Sequence, residues 1–265
     1  MLVGFTVLGP AAAGRLDVTL EPAGVTGDDP FLVLDSPDLR IGEAQELALG
    51  GGVTVRVGTE PGLYGGSGSD HLCDPRLIAD FLARDSAKAS AWASAAGIEV
   101  DEIDTFLDTL TPVRLLADTW VTNHGYRDGR ALPRASILQA GTMVLVDDHG
   151  VPRVRCKCGN PLGPAEPPSD LGTVDFIGEP WDGFDPDQLL VIERGAEAVE
   201  AFILIRLEDG RRIARPVGTV GDQDVLVDED GNWIPGKGPS PTAAWGGRSR
   251  SNPGIQLPSS STSTS

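Results

Sequence analysis

The densest β-strand signal in the chain predicts a hairpin around which the rest of the fold is expected to be organised. Thr142–Asp147 and Val151–Cys156 are two runs with β-branched apolar residues. They flank Asp148-His149-Gly150, a turn sequence, so the two runs are predicted to pair as antiparallel strands. If the second strand continues, the thiols of Cys156 and Cys158 point to the same face, because side chains alternate along a strand.

A polar run upstream of this hairpin is the main candidate for a binding site. Val113–Val121 is predicted to form one strand, which runs into a polar loop over residues 122–130. The side chains in this loop that carry binding chemistry are Asn123, His124, Tyr126, Arg127, Asp128 and Arg130. Guanidinium groups bind carboxylates through paired hydrogen bonds, so the loop could hold an acidic or polar ligand. In the alternative interpretation, which we prefer, an Arg127–Asp128 pair and a backbone-bound His124 only hold the loop in shape.

Three cysteines leave three interpretations open. The preferred one is a disulfide from Cys73 to Cys156 or to Cys158, which implies an oxidising compartment. A second is a zinc site formed by His71 and the three cysteines. Its pairs are separated by one residue, whereas structural zinc sites usually separate paired cysteines by two to four. The third is three reduced, half-buried thiols.

The charge and the two ends of the chain limit its partners. A net charge of −18 argues against nucleic acids and anionic membranes as partners, because both require a basic surface. Residues 1–14 (MLVGFTVLGPAAAG) are almost wholly apolar but too short to span a bilayer. We interpret them as the end of a truncated signal peptide or anchor, with a first strand as the alternative. Residues 236–265 are rich in Pro, Gly, Ser and Thr and are predicted to form a disordered tail.

Residues 73–110 are predicted to form a cluster of short helices. Asp74 and Asp85 are N-cap residues for the first two helices, and Gly97 stops the second. Asp101 is predicted to begin a third helix. Trp92 lies on the apolar side of the second helix and is assigned to the core.

The rest of the chain predicts short strands and loops. The strands are expected at 17–23, 31–35, 53–57, 189–192, 201–207, 212–217 and 222–227. The glycine-rich run 61–70 has neither the lysine of a phosphate-binding loop nor a Gly-x-Ser-x-Gly motif, so a flexible loop is predicted. Asp228, Asp230 and Asn232 begin like a calcium loop but lack its closing acid, which favours a hairpin turn.

Several motifs together resemble an uncharacterised domain family of actinobacteria, domain of unknown function 6777. They are YGGSG, LIADFL, AWASAAGI, LTPVRLLADTWVTNHGYRDGRA and LQAGTMVLVDDHGVPRVRCKCGNPL, followed by WDGF and RPVGT. The resemblance covers roughly Val18–Val227 and implies a cell-envelope or secreted module, often behind a membrane anchor, without a known activity. It places Cys73, Cys156 and Cys158 at family positions, whereas His71 is particular to this chain.

These observations predict an α+β fold: a mixed or antiparallel sheet with an inserted cluster of short helices. The expected domains are a main domain over 15–163, a small β-rich module over 164–235 packed on it, and the tail.

The predicted function is an extracytoplasmic binding or interaction module for an unknown envelope partner, with no cofactor. The alternatives are an envelope hydrolase using His124 and Asp128, and a self-assembling surface protein. Membrane contact is expected only through an N-terminal anchor. A homo-oligomer is one of the assemblies that the sequence allows.

Overall fold

The computed structural model describes residues 15–34, 47, 49–68 and 70–235. Within them the chain is mostly β-sheet with a few short helices, which agrees broadly with the predicted α+β class. The predicted N-terminal stub (1–14) and the predicted disordered tail (236–265) lie outside the described residues.

The helices and strands have the following bounds. The helices are α1 (Pro75–Leu82), α2 (Ser86–Ala96) and α3 (Ile103–Asp108). The strands before the helices are β1 (Leu16–Glu21), β2 (Gly52–Val57) and β3 (Tyr64–Gly66). The next are β4 (Thr111–Leu115), β5 (Thr119–Arg127), β6 (Arg130–Leu138), β7 (Met143–Val146), β8 (Pro152–Arg155) and β9 (Asn160–Gly163). The last are β10 (Val174–Ile177), β11 (Gln188–Glu193), β12 (Ala201–Arg206), β13 (Arg212–Pro216) and β14 (Val225–Val227).

The strands combine antiparallel hairpins with parallel pairs between distant parts of the chain. The hydrogen-bonded order is β10-β1-β6-β5-β9-β8-β7-β4-β3-β12-β13-β14, and β11 joins β2 to β5. The pairs β1–β10, β1–β6, β2–β11 and β3–β12 are parallel. Strands of the predicted 164–235 module therefore pair with strands that precede the helices. The domain boundary near residue 164 remains a prediction.

A buried ion network also connects the last strands to the first half of the chain. Asp70 accepts hydrogen bonds from Arg114 at 3.1 Å and from Arg215 at 2.8 Å, and all three side chains are fully buried. Arg215 also donates to Asp224 at 2.9 Å and to the carbonyl of Pro112 at 2.7 Å. Because burying a charge without a partner is costly, these carboxylates and guanidinium groups fix β13 against β4.

Two strand predictions were wrong, because a run of strand-forming residues does not show where one strand ends and the chain begins to pair with other strands. The predicted strand Val113–Val121 is two strands, since β4 pairs with β3 and β7 whereas β5 pairs with β6, β9 and β11. The carboxylate of Asp118, between the two strands, accepts from the Ala140 amide at 2.8 Å. Residues 31–34 are irregular instead of a strand. The amides of Leu32 and Leu34 donate to carbonyls of the turn after β8, and the Phe31 amide donates to the Asn160 side chain.

The helical cluster follows the predicted caps. The Asp74 side chain accepts from the Arg76 amide, and Asp85 accepts from the amides of residues 87 and 88. Gly97 ends α2 in the left-handed conformation with φ of 74°. Val100–Glu102 forms a 3-10 turn before α3, so the third helix begins two residues after Asp101. Trp92 is fully buried as predicted, and its indole N–H donates to the carbonyl of Gly159 at 2.9 Å.

Candidate functional site

The predicted polar loop over residues 122–130 is instead the end of a β-hairpin. Strands β5 and β6 pair continuously from Thr119–Leu138 to Arg127–Arg130, with Asp128 and Gly129 as a two-residue turn. Both turn residues have positive φ, 51° and 79°, as the tight turns of twisted hairpins require. We call residues 127–132 the hairpin tip.

Asn123 lies in a buried network below the hairpin tip, where it does not face solvent. Its side-chain amide donates to the Glu21 carboxylate at 2.6 Å, and the Ser136 hydroxyl donates to the same oxygen at 2.8 Å. The other Glu21 oxygen forms an ion pair with Arg155, and Asn160 donates to Asn123 at 3.1 Å. Glu21 is only 2% exposed, so this network is structural and ties β1, β5, β6, β8 and β9 together.

Replacing Glu21 by glutamine is expected to destabilise the protein by about 3 kcal/mol, because the buried Arg155 loses its counter-charge. The change is measured as a lower midpoint in chemical denaturation. Glu60→Gln is the matched control: Glu60 pairs with Arg56 at the surface, where such pairs contribute less than about 1 kcal/mol. Equal effects of the two substitutions would contradict the role of Glu21.

His124 is oriented by the backbone of the neighbouring strand. Its Nδ1 lies 3.2 Å from the carbonyl oxygen of Pro161, and since a carbonyl only accepts, Nδ1 carries the proton. Burial lowers the pKa of His124 below its usual value, partly offset by this hydrogen bond. The backbone-bound His124 predicted from the sequence is therefore present, with a neutral ring at pH 7.

The structure does not join His124 to Asp128 as the hydrolase alternative requires. His124 is within β5, and Asp128 is in the turn beyond the end of that strand. The three residues from His124 to Arg127 span roughly 10 Å of extended chain, and no hydrogen bond between the His124 and Asp128 side chains occurs in the described structure. An acid–base pair at these two positions would need a change in the hairpin.

Tyr126 packs against the helical cluster and the segment before it. Its ring centroid lies 5.0 Å from that of Phe31, and the Lys88 ammonium lies 5.3 Å from the Tyr126 ring and 4.8 Å from the Phe81 ring. Lys88 also donates to the carbonyl of Phe31. The cation–π contacts and the ring contact hold the hairpin against α1 and α2.

Arg127 is oriented by Asp29, so the predicted Arg127–Asp128 pair was wrong. Its Nε and Nη2 donate to the two Asp29 oxygens at 3.1 and 2.6 Å, while the Arg127 side chain remains 59% exposed. The Tyr126 amide also donates to the Asp29 carbonyl at 2.7 Å. The partner of Arg127 is therefore a carboxylate from a distant part of the chain and not that of the next residue.

The hairpin tip is the part of the predicted site that remains accessible. Residues 127–130 are all exposed, and Leu132 is 42% exposed. Within the described part of the chain, the Arg130 guanidinium makes no ion pair. The sequence reasoning missed Glu21, Asp29 and Leu132, which lie outside the predicted loop; the Asp-Gly turn signal could have identified the hairpin and with it Leu132.

The preferred interpretation of the cysteines agrees with the structure. Cys73 and Cys156 form a disulfide with a Cα–Cα distance of 5.6 Å, and Cys158 is a buried free cysteine. Burial raises the pKa of the Cys158 thiol to about 11, so it is protonated at neutral pH. The bridge connects the start of the helical cluster to the end of β8.

The alternative zinc set does not hold for this structure. Cys73 and Cys156 are bonded to each other, so neither is a free thiolate, and His71 lies in the 3-10 turn Asp70–Leu72. No group of three potential metal ligands occurs among the described residues. The second strand does not continue to Cys158, because Cys156–Gly159 forms the turn between β8 and β9. The condition under which the two thiols would point to the same face is therefore not met.

Comparison with known protein families assigns the chain to a family. A family model described as a domain of unknown function (DUF6777) matches residues 54–218. The chain belongs to this family. The DUF6777 match includes the hairpin and the disulfide, but it excludes Glu21 and Asp29, and it is narrower than the Val18–Val227 range of the expected resemblance.

No curated protein and no solved structure matches the DUF6777 chain. No helix among its described residues is long and apolar enough to cross a membrane.

Proposed function

We propose that this protein is an extracytoplasmic interaction module that contacts an acidic partner through the hairpin tip. The observation that carries the proposal is the arrangement of Arg127 and Arg130 at the end of the hairpin. They are neighbours across the last strand pair, and both side chains face solvent. One guanidinium is already oriented by Asp29, and the other makes no ion pair in the described structure.

The proposed compartment is supported by the Cys73–Cys156 disulfide. Stable disulfides form in oxidising environments such as the outside of the cell, and cytosolic thiols are normally kept reduced. Both bridged side chains are fully buried, so the bond belongs to the core and not to a surface contact.

The chemistry of the proposed partner follows from the tip residues. Arg130 offers a planar fork of N–H donors that suits a carboxylate, and Leu132 adds an apolar contact beside it. The net charge of −18 repels an acidic partner at long range, and Arg127 is already paired with Asp29. The proposed carboxylate contact therefore depends on a short-range hydrogen-bonded pair with Arg130. The buried network at Glu21 and the contacts of Tyr126 keep the tip in one orientation, which reduces the entropy lost on binding.

The finer organisation of the fold is also part of this proposal. We take residues 15–163 as the main domain with the helical cluster inserted, and 164–235 as a small β-rich module packed on it.

The binding test uses an array of peptides containing aspartate and glutamate, probed with the full chain at physiological salt. Arg130→Ala is expected to weaken binding to the best peptide about ten-fold, since a hydrogen bond to a charged group contributes about 1.5 kcal/mol or more. Arg84→Ala, at an exposed position on the α1–α2 connection, is the matched control and should leave binding unchanged. Equal loss in both variants, or no binding by the unmodified chain, would rule out the tip as an acidic-partner site.

A further inference from the structure

An irregular segment, residues 28–34, lies in a groove between α2, the β5–β6 hairpin and the turn after β8. We call this segment the strap. It forms neither helix nor strand, yet Phe31 and Leu32 within it are buried. The groove is formed by Lys88, Gly125, Tyr126, Arg127, Arg134 and residues 157–160. The DUF6777 match begins at residue 54, so it contains the groove but not the strap that fills it.

Three cations of the groove bind acceptor groups of the strap. Arg134 donates to the first carbonyl of the strap at 2.9 Å, and Lys88 donates to the carbonyl of Phe31. Arg127 donates through Nε and Nη2 to the two carboxylate oxygens of Asp29 at 3.1 and 2.6 Å. Because two of these contacts go to the main chain and one to a carboxylate, the groove suits an extended acidic segment.

Two glycines of the groove leave the space that the strap occupies. A Cβ at Gly125 would lie 3.0 Å from the Cβ of Asp29, and a Cβ at Gly159 would lie 2.5 Å from Cγ of Leu32. Between these two positions Phe31 is packed in the core cluster beside the helices. The groove therefore fits a carboxylate, an aromatic ring two residues later, and an apolar side chain directly after the ring.

The strap is held by its contacts with the groove and not by regular structure of its own. Asp29 has a φ of 56°, a left-handed conformation that is unfavourable for a residue with a side chain. The amides of Phe31, Leu32 and Leu34 donate singly to Asn160 and to two carbonyls of the turn after β8. A segment of this kind can open locally without separating the strands of a sheet.

We propose that the groove is a peptide-binding site that the strap closes in cis. The partner is an extended segment with a carboxylate two residues before an aromatic side chain, and it binds when the strap is released. The net charge of −18 repels such a segment at long range, so its affinity depends on the short-range contacts with Lys88, Arg127 and Arg134. The groove does not use Arg130, so the site goes beyond the hairpin tip.

Fluorescence anisotropy with a labelled peptide of residues 26–34, TGDDPFLVL, tests the site on the full chain. The apparent affinity for the peptide is reduced by the fraction of molecules in which the strap is closed. Asp29→Ala removes the ion pair of the strap but leaves Arg127 available to the peptide. This variant is expected to bind about five-fold more tightly than the unmodified chain. Phe31→Ala, which removes a buried ring that the peptide can replace, should bind at least about thirty-fold more tightly.

The control variant is Asp209→Ala, which removes a surface ion pair with Arg206 and Arg211 and should bind like the unmodified chain. Adding Arg130→Ala to Asp29→Ala should leave peptide binding unchanged, which separates the groove from the proposed function. A peptide with alanine in place of its phenylalanine should bind at least about ten-fold more weakly. The proposal is overturned if folded Asp29→Ala binds no better than Asp209→Ala, or if the alanine peptide binds equally well.

Discussion

Gly150→Ala is expected to destabilise the protein by at least about 5 kcal/mol, enough to leave most of the chain unfolded. A Cβ at Gly150 would lie 2.1 Å from both the carbonyl carbon and the carbonyl oxygen of Gly58. Neither backbone can move away freely. The Gly58 amide is bonded to Glu193, and the Gly150 carbonyl accepts from the Tyr64 hydroxyl at 2.5 Å. The variant should give little soluble protein and no cooperative unfolding transition.

The control separates this clash from the strain of the backbone conformation. Gly129 has the same φ of 79° as Gly150, but a Cβ there would meet nothing within 4 Å. Gly129→Ala should therefore cost only about 1–2 kcal/mol, the penalty of a side chain in the left-handed region. If both variants lost the same stability, the close approach of Gly58 and Gly150 would not be important for the fold.

Removing the disulfide with Cys73→Ser and Cys156→Ser together is expected to cost about 4–5 kcal/mol. The bridge spans a sequence separation of 83 residues, and a closed loop of this length strongly restricts the unfolded chain. The two cysteines also belong to the core cluster that contains Trp92 and Leu107, so the serine hydroxyls would be buried among apolar side chains, which is costly for a polar group. Chemical denaturation of both proteins measures the difference.

Cys158→Ala is the control for this experiment, because it removes a buried sulfur and leaves the bridge intact. It should lose less than half as much stability as the double variant. Adding a reductant to the unmodified protein should lower its denaturation midpoint toward that of the double variant. A double variant as stable as the unmodified protein would contradict the stabilising role of the bridge.

The helical cluster was predictable because its signals are local. The acceptor groups of Asp74 and Asp85 lie within three residues of the amides that they cap, and Gly97 acts within its own turn. The β7–β8 hairpin was predictable for the same reason, since its turn sequence lies between two β-branched runs. A disulfide from Cys73 was predicted, but choosing Cys156 over Cys158 required the turn geometry that follows β8.

The candidate site was less predictable because its partners are distant in sequence. The sequence around Asn123 is typical of a polar loop, yet Asn123 is buried. Its side-chain amide donates a hydrogen bond to the carboxylate of Glu21, which is separated from it by 102 residues in the sequence. The same holds for Arg127 and Asp29, at a separation of 98 residues. A polar strand with polar partners on a facing segment lacks the alternation of apolar and polar residues that identifies a half-buried strand. The sequence therefore predicts a loop where the structure has a strand.

The buried contacts of Asn123, His124 and Tyr126 leave the hairpin tip as the accessible part of the predicted site. The residues of the predicted site divide into those that support the hairpin, Asn123, His124 and Tyr126, and those that face solvent at its end. In the proposed function a partner would contact Arg127, Arg130 and Leu132. Asp128 is a turn residue whose positive φ of 51° favours a short polar side chain.

The most direct test of the proposed extracytoplasmic location is the intact mass of the protein from its own cells, purified without reductant and alkylated after denaturation. A mass lighter by two hydrogens, with one alkylated cysteine at position 158, is the predicted result. It would place the folded chain in an oxidising compartment with Cys73 and Cys156 joined. Three alkylated cysteines would contradict the account, because the bridge and the compartment inferred from it would both be absent.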